Sequence, residues 1–402
     1  MRLLLFLLLY VDSRAWFTKD NFVDLTGGQE VFLAILVLFF LFAVLPSVLL
    51  KQKIDVQGLF VLIVIAFVLL VSPIGAWLTY GQPVYAGMIE ERRVLSFLIF
   101  FPVFLAIRSG LVTSRTVLNY VTVSAVLCLL NAAAYYSTAS AVEVAQSFTS
   151  EAEARADRAP IGTGFVLIGT CYVLSRYVEK PKLRWALLWL AFVIDVFAFD
   201  QGRQTIIAVG IASALLMWGQ GRALKHAAIT CMVGLAVALP FTWRTVLEMW
   251  EKYVFLFTLL SHAQNLRVDT IHSVLSSNLL VPHGALWAQW DGGFANIFGP
   301  NFFLSDIGVF GELFRYGAVL LCILLLGFYG YIYNLIRSLQ WNVITRACTA
   351  FILITMIIHV FQPVVEHGGF DVGIILAVLA NETRRRVQRT EAISSFAIPD
   401  AS

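Results

Sequence analysis

The chain has 402 residues, of which 59% are hydrophobic and only 13% charged, and its mean hydropathy is +0.82. A soluble domain carries about 25% charged residues, so this composition excludes a soluble globular fold. The net charge of +3 is too small to point to a nucleic-acid partner, and five cysteines inside apolar runs, without CxxC spacing, exclude a disulfide framework.

Runs of roughly 15 to 22 apolar residues suit helices, since barrel strands need only about ten alternating residues. Taken in order, the predicted spans lie at about 2–12, 31–50, 57–79, 94–107, 116–136, 160–178, 185–199, 204–219, 226–243, 307–335, 347–364 and 370–381. The expected fold is an all-α, polytopic transmembrane helical bundle of about 12 spans. Met1 to Val11 resembles a short signal peptide without a cleavage site and is read as a first membrane segment. Several spans are short for a bilayer core of about 30 Å, which predicts tilting or half-burial around a cavity.

Basic residues such as Lys51, Lys53, Arg108, Arg115, Arg176, Arg184, Arg337, Arg346 and Arg384 to Arg386 crowd into short connections on one side. The positive-inside rule makes that side cytoplasmic, with both termini. The membrane domain is then 1–381, including outer loops 137–159 and 244–305, and residues 382–402 form a flexible cytoplasmic tail.

The functional residue types gather on the outer side. In the long loop 244–305, His283, Arg267, Trp287 and Trp290 suit either a sugar site or an interfacial aromatic belt. Arg92 and Arg93, after Glu90 and Glu91, read as snorkelling ion pairs or as a cationic rim. Arg158 precedes Pro160 and the Gly162/Gly164 pair, where a backbone can approach a ligand closely. Arg203, in Asp200-Gln-Gly-Arg203, sits at the bilayer edge above a helix start. Such an arginine either pairs with Asp200 or binds a diphosphate through bidentate hydrogen bonds and the helix dipole. Asp306, Glu312 and Arg315 either lock the bundle or place a carboxylate and a cation beside a cavity, with Glu312 at i−3 able to neutralise Arg315. No zinc spacing, Gly-rich phosphate loop, nucleophile elbow or HExxH is present, so no metal or cofactor is expected.

About a dozen spans, Gln201-Gly-Arg-Gln-Thr205, Arg158-Ala-Pro-Ile-Gly-Thr-Gly164 and Ser305-Asp-Ile-Gly-Val-Phe-Gly-Glu-Leu-Phe-Arg-Tyr-Gly317 together resemble the O-antigen polymerase and ligase superfamily. The resemblance implies a metal-independent glycosyltransferase of the bacterial inner membrane. Its substrate would be an undecaprenyl-diphosphate-linked oligosaccharide at the periplasmic face, with a chain-length regulator and a flippase as partners. Arg158, Arg203 and Arg315 would hold the diphosphate, and His283 or Asp306 would be the nearest candidates for the base. Arg92, Arg93, Arg267, Trp287, Trp290 and Glu312 would be sugar-binding or accessory residues. Ligase-type members carry His-Asn where this chain has Pro300-Asn301, which favours a polymerase. The alternatives are ligase-type transfer and a lipid-linked-oligosaccharide flippase; a membrane acyltransferase lacks its His-acid motif.

Overall fold

The computed structural model describes residues 2–13, 15, 25–47, 55–143, 161–200, 202–218, 266–299, 302 and 304–396. Only the backbone is described at 25–29, 135–143, 203, 266, 366–367, 387 and 389–396. Among the described residues the chain is helical, without strands. Four helices are long and apolar enough to cross a membrane: Glu30–Ser47, Val56–Tyr80, Ser114–Ala134 and Val309–Arg337; Gln204–Met217 and Val343–His359 are shorter apolar helices. Outward-facing side chains such as Phe42, 77% exposed, and Leu326, 76% exposed, call for a lipid surrounding.

The elements run α1 (Arg2–Asp12), α2 (Leu25–Phe39, continued by a π turn at Phe40–Val44), α3 (Val56–Tyr80) and α4 (Val84–Glu90). A 3₁₀ helix (Glu91–Ile99) then leads into α5 (Phe100–Arg108), followed by α6 (Ser114–Glu143), α7 (Thr163–Glu179) and α8 (Leu183–Ile194, continued by a π turn at Asp195–Asp200). The rest comprises α9 (Arg203–Met217), α10 (Leu266–Ser276), α11 (Phe294–Phe298), α12 (Val309–Arg337), α13 (Val343–His359), α14 (Val364–His367) and α15 (Gly369–Phe396).

Helices that are apolar all round belong in the interior. α7 buries every residue from Phe165 to Ser175, packed among α6, α8, α9 and α13. The first half of α15 buries Val372 and Ile374 to Asn381, against the 3₁₀ helix and α5. The 3₁₀ run also resolves a question of length. It rises about 2.0 Å per residue against about 1.5 Å for an α-helix, so Glu91 to Arg108 covers about 31 Å. The span expected at 94–107 thus gains length from its 3₁₀ part and from three residues added at its start.

Contacts sort into two ends. At the basic end Arg108 pairs with Asp55, Arg2 Nε donates to the Leu111 carbonyl at 2.7 Å, and Ser114 Oγ donates to Glu382 at 2.7 Å. There Arg176 and Arg184 also lie over the Trp185 ring, at 5.2 and 4.8 Å. At the polar end Cys128 Sγ donates to the Ser13 carbonyl at 3.4 Å, and Ser72, Glu91, Thr163 and Asp200 make the contacts described below. Two differences from the sequence reading stand out: α6 continues to Glu143, and α15 continues to Phe396, past the tail boundary expected at 382. The span expected at 226–243 and the loop residues 144–160 and 244–265 lie outside the described residues.

Candidate functional site

The polar end is organised around a break in α12. Gly317, at φ +70 and ψ 158, interrupts the helix and strips its neighbours of their helical hydrogen bonds. The chain from Asn278 to Trp287 fills the gap. His283 N–H donates to the Phe314 carbonyl at 3.0 Å and Gly284 N–H to the Arg315 carbonyl at 3.0 Å, while Ala318 N–H donates to the Leu279 carbonyl at 2.7 Å. The other side of this segment lies on α3 with almost no space between. A Cβ added at Gly284 would sit 2.0 Å from the Ser72 carbonyl oxygen, and one at Gly75 would sit 2.7 Å from that of Pro282.

Side chains complete the fit. Gln82 Nε2 donates to the Ala285 carbonyl at 3.0 Å, and its Oε1 accepts from Trp287 N–H at 2.8 Å. Ser72 Oγ accepts from Ala285 N–H at 2.9 Å and donates to Glu91 Oε1 at 2.6 Å. Non-helical backbone is tolerated among membrane helices where protein satisfies its polar groups, and here the α12 backbone and the side chains of Ser72, Thr79 and Gln82 do so.

Against this wedge lie four buried ionisable groups. Arg315 Nη1 stands 3.5 Å from Glu91 Oε2, at 6% and 2% exposure. Glu312 Oε2 lies 2.7 Å from His359 Nε2, and His359 Nδ1 bonds the Tyr329 hydroxyl. In a neutral imidazole these partners fit one tautomer, with Nε2–H donating to the carboxylate and Nδ1 accepting from the tyrosine. Glu312 Oε1 has no hydrogen-bond partner among the described residues. The expected i−3 pairing therefore gives way to longer-range partners. Glu312 adds to the field around Arg315, but its hydrogen bond goes to His359 and the ion pair of Arg315 goes to Glu91. The chain Tyr329–His359–Glu312 can pass a proton; the Arg315–Glu91 pair neutralises itself.

A second group of carboxylates occupies helix starts. A Cβ at Gly164, in the first turn of α7, would lie 1.8 Å from Asp371 Oδ2. Asp200 Oδ1 accepts from Thr163 Oγ1 at 3.2 Å, and its Oδ2 would lie 2.8 Å from a Cβ at Gly202, just before α9. Each carboxylate stands where the helix dipole is positive. This bears on the expectation for Arg203, the first residue of α9: a diphosphate at that helix start would meet the carboxylate of Asp200 nearby. The Arg203 side chain and all of Arg158 lie outside the described residues.

His283 stacks on Phe314 with centroids 4.6 Å apart, its Nδ1 3.2 Å from the Tyr80 hydroxyl and its Nε2 3.2 Å from the Asn278 carbonyl. Both ring nitrogens are engaged, so His283 pins the wedge. Trp287 and Trp290, half-buried, follow directly, and Arg267 is half-buried on α10. Asp306 is exposed on a 3₁₀ turn (Leu304–Asp306), and Arg93 is exposed. Arg92 pairs with Glu30 at 2.7 Å, and that hydrogen bond holds its guanidinium protonated more firmly than usual.

Sequence reasoning passed over Ser72, Gln82, His359, Tyr329 and Asp371, and read Glu91 only as part of a surface charge run. The small-residue run Ser72-Pro-Ile-Gly-Ala76 was the available signal for close backbone approach on α3. No protein-family model matches the chain, and neither a curated protein nor a solved structure does.

Proposed function

We propose that the chain is a membrane-embedded glycosyltransferase that joins undecaprenyl-diphosphate-linked oligosaccharide units into a polysaccharide, working at the polar end of a bundle of about twelve spans. In this reading the polar end faces the periplasm of a bacterial inner membrane, and both termini face the cytoplasm. The observation that carries the proposal is the asymmetry of the two ends. The basic end holds short connections with arginines and lysines, as the positive-inside rule asks of a cytoplasmic face. The polar end gathers the wedge Asn278–Trp287, Trp290, Arg92, Arg93 and the start of α9.

The chemistry fits such a face. A diphosphate-activated donor needs cations on the leaving group and one base for the acceptor hydroxyl. Arg158 and Arg203 supply the cations. Arg315 fixes the wedge through Glu91 and so shapes the wall against which Trp287 and Trp290 meet sugar rings. Pro300-Asn301, in place of a His-Asn pair, favours polymerisation over ligase-type transfer. A flippase would need charges along a path to both faces, whereas the ionic groups outside the basic end cluster at one.

Purified protein in detergent, given lipid-linked repeat units, tests the reading. A ladder of lengthened glycans is the expected product. Unchanged units, combined with lipid translocation in proteoliposomes, would replace the polymerase reading with the flippase one.

A further inference from the structure

We propose that Glu312 and His359 form a proton-binding site, holding between them a proton beyond the imidazole's own, where both halves of the broken α12 reach α13. Glu312 precedes the break at Gly317 and Tyr329 follows it, 17 positions further on. In a straight helix that separation would be about 25 Å. Yet one imidazole reaches both: His359 Nε2 lies 2.7 Å from Glu312 Oε2, and Nδ1 bonds the Tyr329 hydroxyl. The first half of α12 is therefore turned onto the end of α13. A Cβ at Gly308, just before α12, would stand 2.6 Å from both the His359 carbonyl oxygen and the Gln362 nitrogen.

The balance of charge asks for the proton. Glu312 is 0% exposed, Glu91 2%, His359 3% and Arg315 6%. Arg315 lies in the field of both carboxylates, but its ion pair goes to Glu91. With a neutral His359, two carboxylates and one guanidinium would leave a net negative charge away from water. A lone charge in such a place neutralises by binding a proton. Glu312 Oε1, without a hydrogen-bond partner among the described residues, has capacity to spare for it. The proton belongs to the pair, because two groups this close titrate together.

The other elements packed on α13 are α7, α9, α14 and α15. The first half of α7 has no ionisable side chain, and Asp371 of α15 stands instead at Gly164. The side chains of Arg203 on α9 and of Glu366 and His367 on α14 lie outside the described residues. Protein closes the site on all sides that the burial reports, which suits a proton and excludes a larger ligand. Ionisable groups held among membrane helices serve such proton sites. The inference rests on the buried cluster alone and stands whether or not the chain is a polymerase.

Proton release on unfolding tests it. The full chain in detergent is unfolded by denaturant in weak buffer at about pH 8, with an indicator dye. An unfolded glutamate and histidine, with ordinary values of about 4.3 and 6.5, hold no such proton there. The unaltered chain should release one proton more than Glu312→Gln, whose amide oxygen still accepts from His359 but binds no proton. Equal release from the two would overturn the proposal, since Glu312 would then be ionised in the fold and balanced by a cation from another element. If Glu312→Gln does not fold, Glu312→Leu with His359→Leu gives the same comparison.

Discussion

Arg315 and Glu91 are 224 positions apart in the chain and 3.5 Å apart in the fold, both almost wholly buried. Removing one member of a buried pair strands the other charge and costs about 3–5 kcal/mol. Glu91→Ala and Arg315→Ala should each therefore lower the unfolding midpoint in detergent steeply. Glu91→Gln keeps an acceptor for Ser72 and should cost less than Glu91→Ala. A loss below about 1 kcal/mol in the alanine variants would place the pair in the range of exposed ion pairs and remove its anchoring role.

Gly284 and Gly299 separate two reasons for a glycine. Both have positive φ, +72 and +89, but a Cβ at Gly284 meets the Ser72 oxygen at 2.0 Å, whereas one at Gly299 meets nothing within 4 Å. Gly299→Ala should cost only the backbone strain of a conformation reserved for glycine (φ 89, ψ 168), about 1–3 kcal/mol. Gly284→Ala must also push the wedge off α3. Limited proteolysis should then cut between 277 and 290 in that variant and spare Gly299→Ala. Equal protection of the two would contradict the close packing.

The long apolar helices were legible because composition alone decides them: Val56–Tyr80 is a 25-residue apolar stretch without a charged residue, with Pro73 inside. Glu91 was not, because Glu90-Glu-Arg-Arg93 has the pattern of a solvated edge. Only the 3₁₀ turn that begins there carries Glu91 inward and leaves Arg93 outside. Local spacing also showed only part of the surroundings of Glu312. An i−3 rule sees Arg315 on the same helix and cannot see His359, which arrives from α13 and makes the hydrogen bond. Gly317 stood in the sequence as one glycine in an apolar helix; the break it makes is visible only with the segment 278–287 that completes it.

His359 and Glu312 test whether a buried polar chain serves structure or chemistry. His359→Leu removes the one hydrogen bond of the Glu312 carboxylate among the described residues and should cost about 3 kcal/mol or more. His359→Leu with Glu312→Leu removes the carboxylate together with its hydrogen-bond partner, and replacing a buried polar pair by apolar groups is often neutral. The double variant should thus regain most of its thermal stability. If glycan ladders stay absent in that well-folded double variant, the Tyr329–His359–Glu312 chain serves proton movement. If ladders return with stability, it only holds α12 to α13.

Arg203 offers the sharpest test of the diphosphate site, because Asp200 already stands at the same helix start. Without the guanidinium, the amino end of α9 would present a diphosphate with a carboxylate and no compensating cation. Arg203→Ala should therefore abolish long-chain polysaccharide in cells while membrane insertion remains normal. Arg203→Lys keeps the charge but loses the bidentate fork, and should give short chains. Asp200→Asn removes the competing charge and should lower the KM for the lipid-linked donor while chains still form, since the amide oxygen can still accept from Thr163. Normal chain lengths in Arg203→Ala would remove Arg203 from the site. A lost ladder in Asp200→Asn, with folding intact, would instead make Asp200 the base that His283, bound at both ring nitrogens, is poorly placed to be.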